Sequence, residues 1–154
     1  MIDRSNEDQT TRGTILVAED NDTDTLVFRT AFARAQLPYA VRFVKDGQEA
    51  IDYLEGKGPY TDRQQFPEPD LLVLDLTMPS VDGFYVLKWM RAAGRKPTPA
   101  IVLASSDHET DKRLALKLGA SDYRTKSPGV MALSKFLKDT CERWLKLAGD
   151  SGAS

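Results

Sequence analysis

The sequence predicts an α/β fold in which five short strands alternate with helices around a parallel sheet. Three apolar runs carry this prediction: Thr14–Ala18, residues 71–74 and Ala100–Ala104 consist almost entirely of Val, Ile, Leu and Ala. Unbroken runs of this kind are typical of strands buried on both faces, as in a parallel sheet. Between the runs, apolar residues recur at helical spacing, and right-handed crossovers lay such helices on both sides of the sheet.

The two remaining strands are less apolar. Ala40–Val44 alternates like a strand before the turn at Asp46-Gly47, and residues 121–125 form a weak strand that ends at Lys126. A stretch rich in Gly, Pro and polar residues at 56–69 predicts a long loop before the third strand. The sequence therefore predicts five β/α repeats.

Each strand is followed by a helical pattern. The first helix carries Leu26, Phe28, Ala31, Phe32 and Ala35 and stops at Leu37-Pro38; the second carries Ala50, Ile51, Tyr53 and Leu54; the others cover residues 84–93, 110–118 and 130–148. Gly119 is placed to supply the left-handed residue after the fourth helix. We expect Asp22 or Thr23 to cap the first helix and Asp82 to cap the third.

Composition limits the classes of function. With 154 residues, 41% of them hydrophobic, the chain suits one globular domain, which we place at residues 13–148 between polar tails at 1–12 and 149–154. A net charge of −2 gives no case for nucleic-acid binding, and no apolar run is long enough to span a membrane. The polar start does not resemble a signal peptide, and a single Cys fits a reducing cytoplasm.

Polar residues with chemical potential follow the predicted strands. Glu19 and Asp20 follow the first strand, Asp75 the third, Ser105 and Ser106 the fourth, and Lys126 the fifth. In an open parallel sheet, sites form outside the carboxyl ends of the strands. Clustered carboxylates need a cation, and their hard oxygens suit Mg²⁺. With the ammonium of Lys126 beside them, these groups point to Mg²⁺-dependent phosphoryl transfer with an aspartate nucleophile. Any one of these aspartates, taken alone, is more often a helix cap or turn former.

Four segments resemble a known family. They read ILVAEDN at residues 15–21, LLVLDLTMPSVDGF at 71–84, IVLASS at 101–106 and GASDYRTK at 119–126. Together they are similar to the receiver domain of bacterial two-component response regulators, and the resemblance covers residues 13–148. It implies a flavodoxin-like, doubly wound five-stranded sheet with (βα)5 connectivity. It also implies that a histidine kinase donates a phosphoryl group to an aspartate.

The resemblance assigns roles to residues of the site. Asp75 matches the phosphoryl acceptor, and Lys126 matches the lysine that pairs with the phosphoryl oxygens. Asp20 matches the direct Mg²⁺ ligand, and Glu19 matches the second acidic residue, which acts through water. Thr77 matches the position whose backbone carbonyl coordinates the metal.

Further matches concern the acceptor loop and the switch. Met78-Pro79 and Gly83 match the loop that shapes the acceptor pocket. The family's hydroxyl residue after the fourth strand falls on Ala104 when the segments are aligned without a gap. Either Ser105 substitutes for it, or the hydroxyl part of the switch is missing. Tyr123 matches the switch aromatic, and the alternative is an ordinary strand aromatic at the surface.

Two features of the chain's second half bear on partners. The family often has Lys-Pro where this chain has Lys126-Ser127-Pro128, so a cis Lys–Pro bond is unavailable, and the isomer of Ser127–Pro128 stays open. After Lys126 only the last helix and a tail remain, so we expect no separate output domain. The output is then a protein contact or onward transfer to a phosphotransfer or effector protein.

The last helix and the long loop suggest particular partners. Val130, Leu133, Phe136, Leu137, Cys141, Trp144 and Leu145 form the core-facing stripe of the last helix, and Met131 and Leu147 extend beyond it. This favours a homodimer through that helix, the alternative being an amphipathic helix with a frayed end. The long loop and the Lys-Ser ending resemble small regulators that serve bacterial phytochrome kinases, which implies a bacteriophytochrome as the sensor kinase.

Two other functions remain as alternatives. A pseudo-receiver would bind partners without phosphorylation, and only Ala104 points to it. A Mg²⁺-dependent phosphohydrolase of the haloacid-dehalogenase type would need a second acid two residues after the nucleophile, where this chain has Thr77. We therefore expect that the protein is not an enzyme and catalyses only its own phosphorylation and dephosphorylation.

Overall fold

The computed structural model describes residues 11–76, 82–94, 98–105, 108–126 and 129–145. Within these ranges five strands and five α-helices alternate along the chain. The strands are β1 (Thr14–Ala18), β2 (Ala40–Val44), β3 (Leu71–Asp75), β4 (Ala100–Ala104) and β5 (Asp122–Thr125). The helices are α1 (Asp22–Ala35), α2 (Gly47–Glu55), α3 (Gly83–Ala92), α4 (Glu109–Lys117) and α5 (Val130–Trp144), and a 3₁₀ turn covers Gly58–Tyr60.

The strands form one parallel sheet in the order β2-β1-β3-β4-β5. Every residue of β1, β3 and β4 is buried, whereas β2 and β5 lie at the edges and are partly exposed. The chain starts near the middle of the sheet and winds outward in both directions, as in flavodoxin-like folds. The predicted α/β fold with a doubly wound five-stranded sheet is therefore confirmed.

Helices cover both faces of this sheet. On one face, α1 and α5 pack over strand residues that include Ile15, Val17 and Leu103. On the other face, residues of α2, α3 and α4 pack over the alternate strand residues, which include Leu16, Leu74 and Val102. Alternation along each buried strand therefore feeds two separate hydrophobic cores, one per face.

The first helix differs from its prediction at two points. Asn21 caps it, because this residue is extended and its side chain accepts a hydrogen bond from the Asp24 N–H at 2.9 Å. Asp22 and Thr23, the predicted caps, lie inside the helix. Leu26 is 63% exposed rather than part of the core. Leu26 falls off the stripe formed by Phe28, Ala31, Phe32 and Ala35, which alone keeps the three- and four-residue spacing.

The last helix carries the predicted stripe toward the core. Leu137 and Cys141 are fully buried, and burial raises the pKa of the Cys141 thiol to about 11. The other stripe residues are partly buried against the same core: Val130, Leu133, Phe136, Trp144 and Leu145. Met131 is 70% exposed. Leu147, the other residue predicted to extend beyond the stripe, lies outside the described residues.

The long loop after α2 is built around Arg63. Its guanidinium donates hydrogen bonds to the backbone carbonyls of Tyr53 at 2.9 Å, Leu54 at 2.8 Å and Phe66 at 3.1 Å. The first two carbonyls belong to the last turn of α2, where backbone acceptors lack partners within the helix. Arg63 thus fastens the loop to the end of the helix, which Gly56 closes at a φ of 71°.

Aromatic rings fill the space beneath this loop. Tyr53, Tyr60 and Phe66 lie with ring centroids 5.0 to 6.0 Å apart, and the Tyr53 hydroxyl donates to the Pro67 carbonyl at 2.9 Å. Arg42 of β2 donates to the Gln65 carbonyl at 2.8 Å. The segment that reads as a loop in sequence therefore has its own small core and hydrogen-bond network.

Asp70 fixes the edge of the sheet where β1 and β3 begin. Its carboxylate accepts from the Thr14 N–H at 2.9 Å, and its own N–H donates to the Thr14 carbonyl at 2.8 Å. The carboxylate occupies the space that a Cβ at Gly13 would take, so a side chain there would clash with it. From this point Ile15 lies opposite Leu71, and the pairing runs on to Ala18 and Leu74.

Candidate functional site

The polar residues predicted from the strand ends meet at one edge of the sheet. Asp75 is the last residue of β3 rather than the first residue after it, and Glu19 follows β1 directly. Because Ala18 pairs with Leu74, the register brings Glu19 and Asp75 side by side. Lys126 follows β5, and its N–H donates to the Ala104 carbonyl at 2.7 Å. The parallel sheet thus collects the three side chains at its carboxyl edge.

Glu19, Asp20 and Asp75 form what we call the acidic site. Each offers one carboxylate oxygen, and these oxygens all lie within 4.8 Å of one another. Glu19 and Asp75 are buried, whereas Asp20 is exposed. Three carboxylates this close repel one another unless a cation compensates them, and a purely oxygen donor set fits a hard divalent ion. Thr77, the fourth predicted metal ligand, lies outside the described residues.

Lys126 is the positive group at this site. Its Nζ lies 3.3 Å from Glu19 Oε1, 3.3 Å from Asp75 Oδ2 and 3.7 Å from Asp24 Oδ2. Burial by itself lowers the pKa of Lys126, but the carboxylates of Asp75 and Glu19 outweigh it and raise the pKa above its ordinary value. Lys126 is therefore held in its charged form, with carboxylate oxygens as its partners.

Glu19 is the member of the acidic site whose ionised form is disfavoured. Burial and the neighbouring Asp75 carboxylate raise the pKa of Glu19 from 4.5 to about 7, although Lys126 and the Asn21 N–H act in the opposite direction. The Asn21 N–H donates to Glu19 Oε2 at 3.2 Å. A carboxylate that ionises this reluctantly is stabilised when a divalent cation arrives.

Gly83 sets the wall beside the acceptor candidate. Its N–H donates to the Leu76 carbonyl at 3.3 Å, and a Cβ on it would lie 3.1 Å from the Asp75 carbonyl oxygen. The two atoms nearest to such a Cβ, the Asp75 carbonyl oxygen and the Leu76 Cα, belong to the backbone, so a side chain at this position would displace the end of β3. Asp82 caps α3 as predicted, accepting from the Tyr85 N–H at 3.0 Å. Met78 and Pro79, also matched to this loop, lie outside the described residues.

The two switch candidates occupy different environments. Ser105 is exposed and lines a cavity of about 600 Å³ together with Glu19, Asp24 and Lys126. Tyr123 is 5% exposed and belongs to the same core cluster as Ala104. Its ring therefore packs inside the protein, and the alternative of an ordinary strand aromatic at the surface is wrong. Ser106, Ser127 and Pro128 lie outside the described residues.

Asp24 is a member of the site that strand ends do not reveal. It lies in the first turn of α1 and lines the cavity, and its side chain is 51% exposed. Acidic residues in a first helical turn are common because they complement the helix dipole, so the sequence offers no special reason to select it. Its contact with Lys126 depends on how α1 packs beside the end of β5.

Comparison with known proteins adds an independent line of evidence. Residues 15–138 match the model of the response regulator receiver domain. Response regulator Rcp1 of Synechocystis sp. is 29% identical over 133 residues, which cover 86% of this chain and 88% of Rcp1. A structure of Rcp1 in its Mn²⁺-bound form has a TM-score of 0.71 and covers 86% of this chain and 94% of the solved chain.

Two further structures are similar. The phosphorylated cyanobacterial phytochrome response regulator RcpA is 34% identical with a TM-score of 0.75. Response regulator RPA3017, from red light signaling in R. palustris, is 31% identical with a TM-score of 0.80. Each comparison covers 88% of this chain and 96% of the solved chain. The range matched by the family model contains Glu19, Asp20, Asp75 and Lys126.

Proposed function

Because this chain belongs to the response regulator receiver domain family, we propose that Asp75 accepts a phosphoryl group from a histidine kinase. Phosphorylation-dependent signalling is the activity that the family match supports, and receiver domains are signalling proteins rather than enzymes of the ordinary kind. One observation carries the assignment to Asp75. Its carboxylate lies within 4.8 Å of oxygens of Glu19 and Asp20 and 3.3 Å from Lys126 Nζ.

Receiver domains bind a divalent metal, and we propose Mg²⁺ for this chain. Asp20 and Asp75 would hold the ion directly, Glu19 would act through water, and Thr77 would contribute its backbone carbonyl. Support comes from the oxygen-only donor set of the acidic site. When bound, the metal neutralises negative charge on the transferring phosphoryl group.

The chain's own residues account for the transfer itself. A carboxylate oxygen of Asp75 forms the new O–P bond as the N–P bond of the phosphohistidine breaks, and the bonding electrons stay with the histidine nitrogen. Lys126 places its ammonium beside the acceptor, where it stabilises the developing charge on the phosphoryl oxygens. In this sense the chain assists its own phosphorylation and its later hydrolysis.

The switch that follows phosphorylation is assigned to Ser105 and Tyr123. Ser105 lines the cavity beside Lys126, which supports its hydroxyl as the substitute for the one that Ala104 lacks. Tyr123 packs in the core cluster that contains Ala104, and it lies opposite Val102 of β4 in the sheet. We propose that a Ser105–phosphoryl hydrogen bond moves the end of β4 and shifts the packing of Tyr123.

Neither alternative function is favoured. A pseudo-receiver would lack the acidic pair, the acceptor aspartate or the lysine, and the chain has them all. The phosphohydrolase alternative needs an acid at Thr77. The family match supports the receiver assignment over both.

The partners and boundaries are proposed as follows. The sensor kinase is a bacteriophytochrome, which the similarity to the phytochrome response regulator RcpA supports, and a phosphotransfer or effector protein acts downstream in the cytoplasm. The receiver domain extends over residues 13–148. Within the described residues, no helix is long and apolar enough to cross a membrane.

A homodimer through the last helix is proposed on the exposure of Met131, which is 70%. Light scattering across protein concentration tests this proposal, because a dimer raises the average mass toward twice that of the chain. A constant monomer mass at high micromolar concentration contradicts it.

The assignment of Asp75 is tested by incubating the protein with a small-molecule phosphodonor and Mg²⁺, followed by intact mass measurement. We expect one added phosphoryl group in the wild-type chain and none in Asp75→Asn. Asp22→Asn, on the exposed start of α1 beside Lys45, is the matched control and keeps the modification. An unmodified wild-type mass, with circular dichroism showing a folded protein, would reject the proposed function in favour of the pseudo-receiver.

A further inference from the structure

Lys126 has one more carboxylate partner than its proposed role requires. Asp75 and Glu19 accept hydrogen bonds from its ammonium at 3.3 Å each, and both are almost completely buried. Asp24 approaches the same Nζ at 3.7 Å from α1, with about half of its side chain exposed. Among the described partners of this ammonium, Asp24 is the one in contact with solvent.

This exposed carboxylate lines the cavity that holds the ammonium of Lys126. Asp24, Ser105 and Lys126 line the same cavity between α1 and α5, and the buried Glu19 lines it too. A phosphodonor is an anion, and like charges repel over several ångströms in a partly exposed site. Asp24 also attracts the ammonium that the phosphoryl oxygens are meant to bind. Its charge therefore opposes the transfer in two ways.

We propose that Asp24 is a positioning residue that acts through Lys126 and slows phosphoryl transfer to Asp75. This inference rests on the proposed function of the acidic site and adds a residue that controls the rate of phosphoryl transfer. In the resting protein, Asp24 draws Lys126 toward the mouth of the cavity. A partner that covers or neutralises Asp24 would release the lysine and speed the transfer.

The test compares Asp24→Asn with Asp22→Asn. Both aspartates lie in the first turn of α1, so both substitutions remove a charge that favours the helix dipole. Asp22 lies beside Lys45 at 3.5 Å, and its side chain is 88% exposed. A merely structural effect of lost charge at the start of α1 would therefore appear in both variants.

The readout is the rate of phosphorylation by acetyl phosphate with Mg²⁺ at low ionic strength. We expect Asp24→Asn to react about three- to tenfold faster than the wild type, the effect of one nearby charge in a partly screened site. The gain shrinks at high salt, because exposed charges are screened. It is also smaller with the less highly charged phosphoramidate. Asp22→Asn stays at the wild-type rate, and Asp24→Glu, which keeps the charge, stays slow.

A second readout does not require transfer. Beryllofluoride, an anionic mimic of the phosphoryl group, is expected to bind Asp24→Asn about three- to tenfold more tightly than the wild type in the presence of Mg²⁺. If the wild type is phosphorylated and Asp24→Asn gains neither rate nor affinity, the role of Asp24 is rejected while the proposed function stands. If the wild type takes up no phosphoryl group, the proposed function fails first.

Discussion

Arg63 and Lys126 are both half-buried cations with oxygen atoms as neighbours, but the charge on those oxygen atoms differs. Arg63 donates to three backbone carbonyls at 2.8 to 3.1 Å, and these acceptors are neutral and fixed by the chain path. Lys126 faces three carboxylates at 3.3 to 3.7 Å. Arg63 also pairs with one carboxylate, that of the exposed Glu68 at 3.6 Å, so its charge is balanced one to one. The carboxylates around Lys126 carry more negative charge than one ammonium can compensate.

From this difference we infer that Arg63 stabilises the fold, and we propose that Lys126 serves the reaction. Neutral backbone carbonyls attract a divalent ion far less than clustered carboxylates do, so Arg63 keeps its place in the folded protein. Carboxylates that are packed together attract a divalent ion, and an ammonium that they release is free to bind phosphoryl oxygens. Substituting the two cations should therefore give separable effects on stability and on reactivity.

The largest expected effect is the loss of reactivity in Lys126→Ala. We expect phosphorylation by a small-molecule donor to slow by about 100-fold or more, as when a preorganised charge-stabilising group is removed. Lys135→Ala removes another lysine that lines the same cavity and should leave the rate almost unchanged. A rate loss of the same size in Lys135→Ala would show that the total positive charge of the cavity matters, and not the position of Lys126 beside Asp75.

Arg63→Ala should lower stability and leave reactivity unchanged. It removes three hydrogen bonds, two of them to the last turn of α2, so we expect a loss of about 2–3 kcal/mol in the free energy of unfolding. Urea denaturation measures this loss. Arg113→Ala, on the exposed side of α4, is the control and should change stability by less than about 0.5 kcal/mol. An equal loss of phosphorylation rate in Arg63→Ala would remove the distinction between the two cations.

A smaller effect concerns the pH dependence of stability without metal. The pKa of Glu19 is 4.5 in its ordinary state and about 7 in the folded protein. Between these values the folded state binds more protons than the unfolded state, so stability falls as pH rises through this window. Glu19→Gln removes this component and should stabilise the metal-free protein by about 1–3 kcal/mol at pH 8, with little change at pH 4.5.

Denaturation in a chelating buffer at several pH values checks this expectation, and Glu142→Gln, exposed on α5, is the control. Added Mg²⁺ should reverse the order, because it stabilises the ionised wild type more than Glu19→Gln. A wild type whose metal-free stability rises between pH 4.5 and 7 more than that of Glu19→Gln would contradict the raised pKa.

Much of the fold could be predicted because burial on both faces leaves a plain mark on sequence. The runs Thr14–Ala18 and Ala100–Ala104 are apolar at every position but Thr14, and the structure places strands at those residues. The site was predictable for a related reason, since a parallel sheet brings its strand ends together. The positions of Glu19, Asp75 and Lys126 after their strands therefore predicted that these side chains lie close together, as they do, whereas their roles were taken from the resemblance.

The missed features depend on contacts between distant segments. Asn21, Asp22 and Thr23 are all able to cap a helix, and only the extended backbone at Asn21 decides among them. Asp24 contacts Lys126 from 102 residues away in sequence. Arg63 lies in a segment whose composition indicates a loop, and its three acceptors are set by the path of that loop. Local patterns carry no record of such pairings.

The Asp70–Thr14 pair, far from the chemistry, has a consequence for the alignment of the acidic site. Strand residues advance about 3.3 Å each, and successive side chains point to opposite faces. A shift of one residue between β1 and β3 would therefore carry Glu19 away from Asp75 and turn one of them to the other side of the sheet. Asp70 therefore sets the register between two neighbouring strands at their first residues. Five residues after Thr14 and Asp70, this register places the carboxylates of Glu19 and Asp75 next to each other.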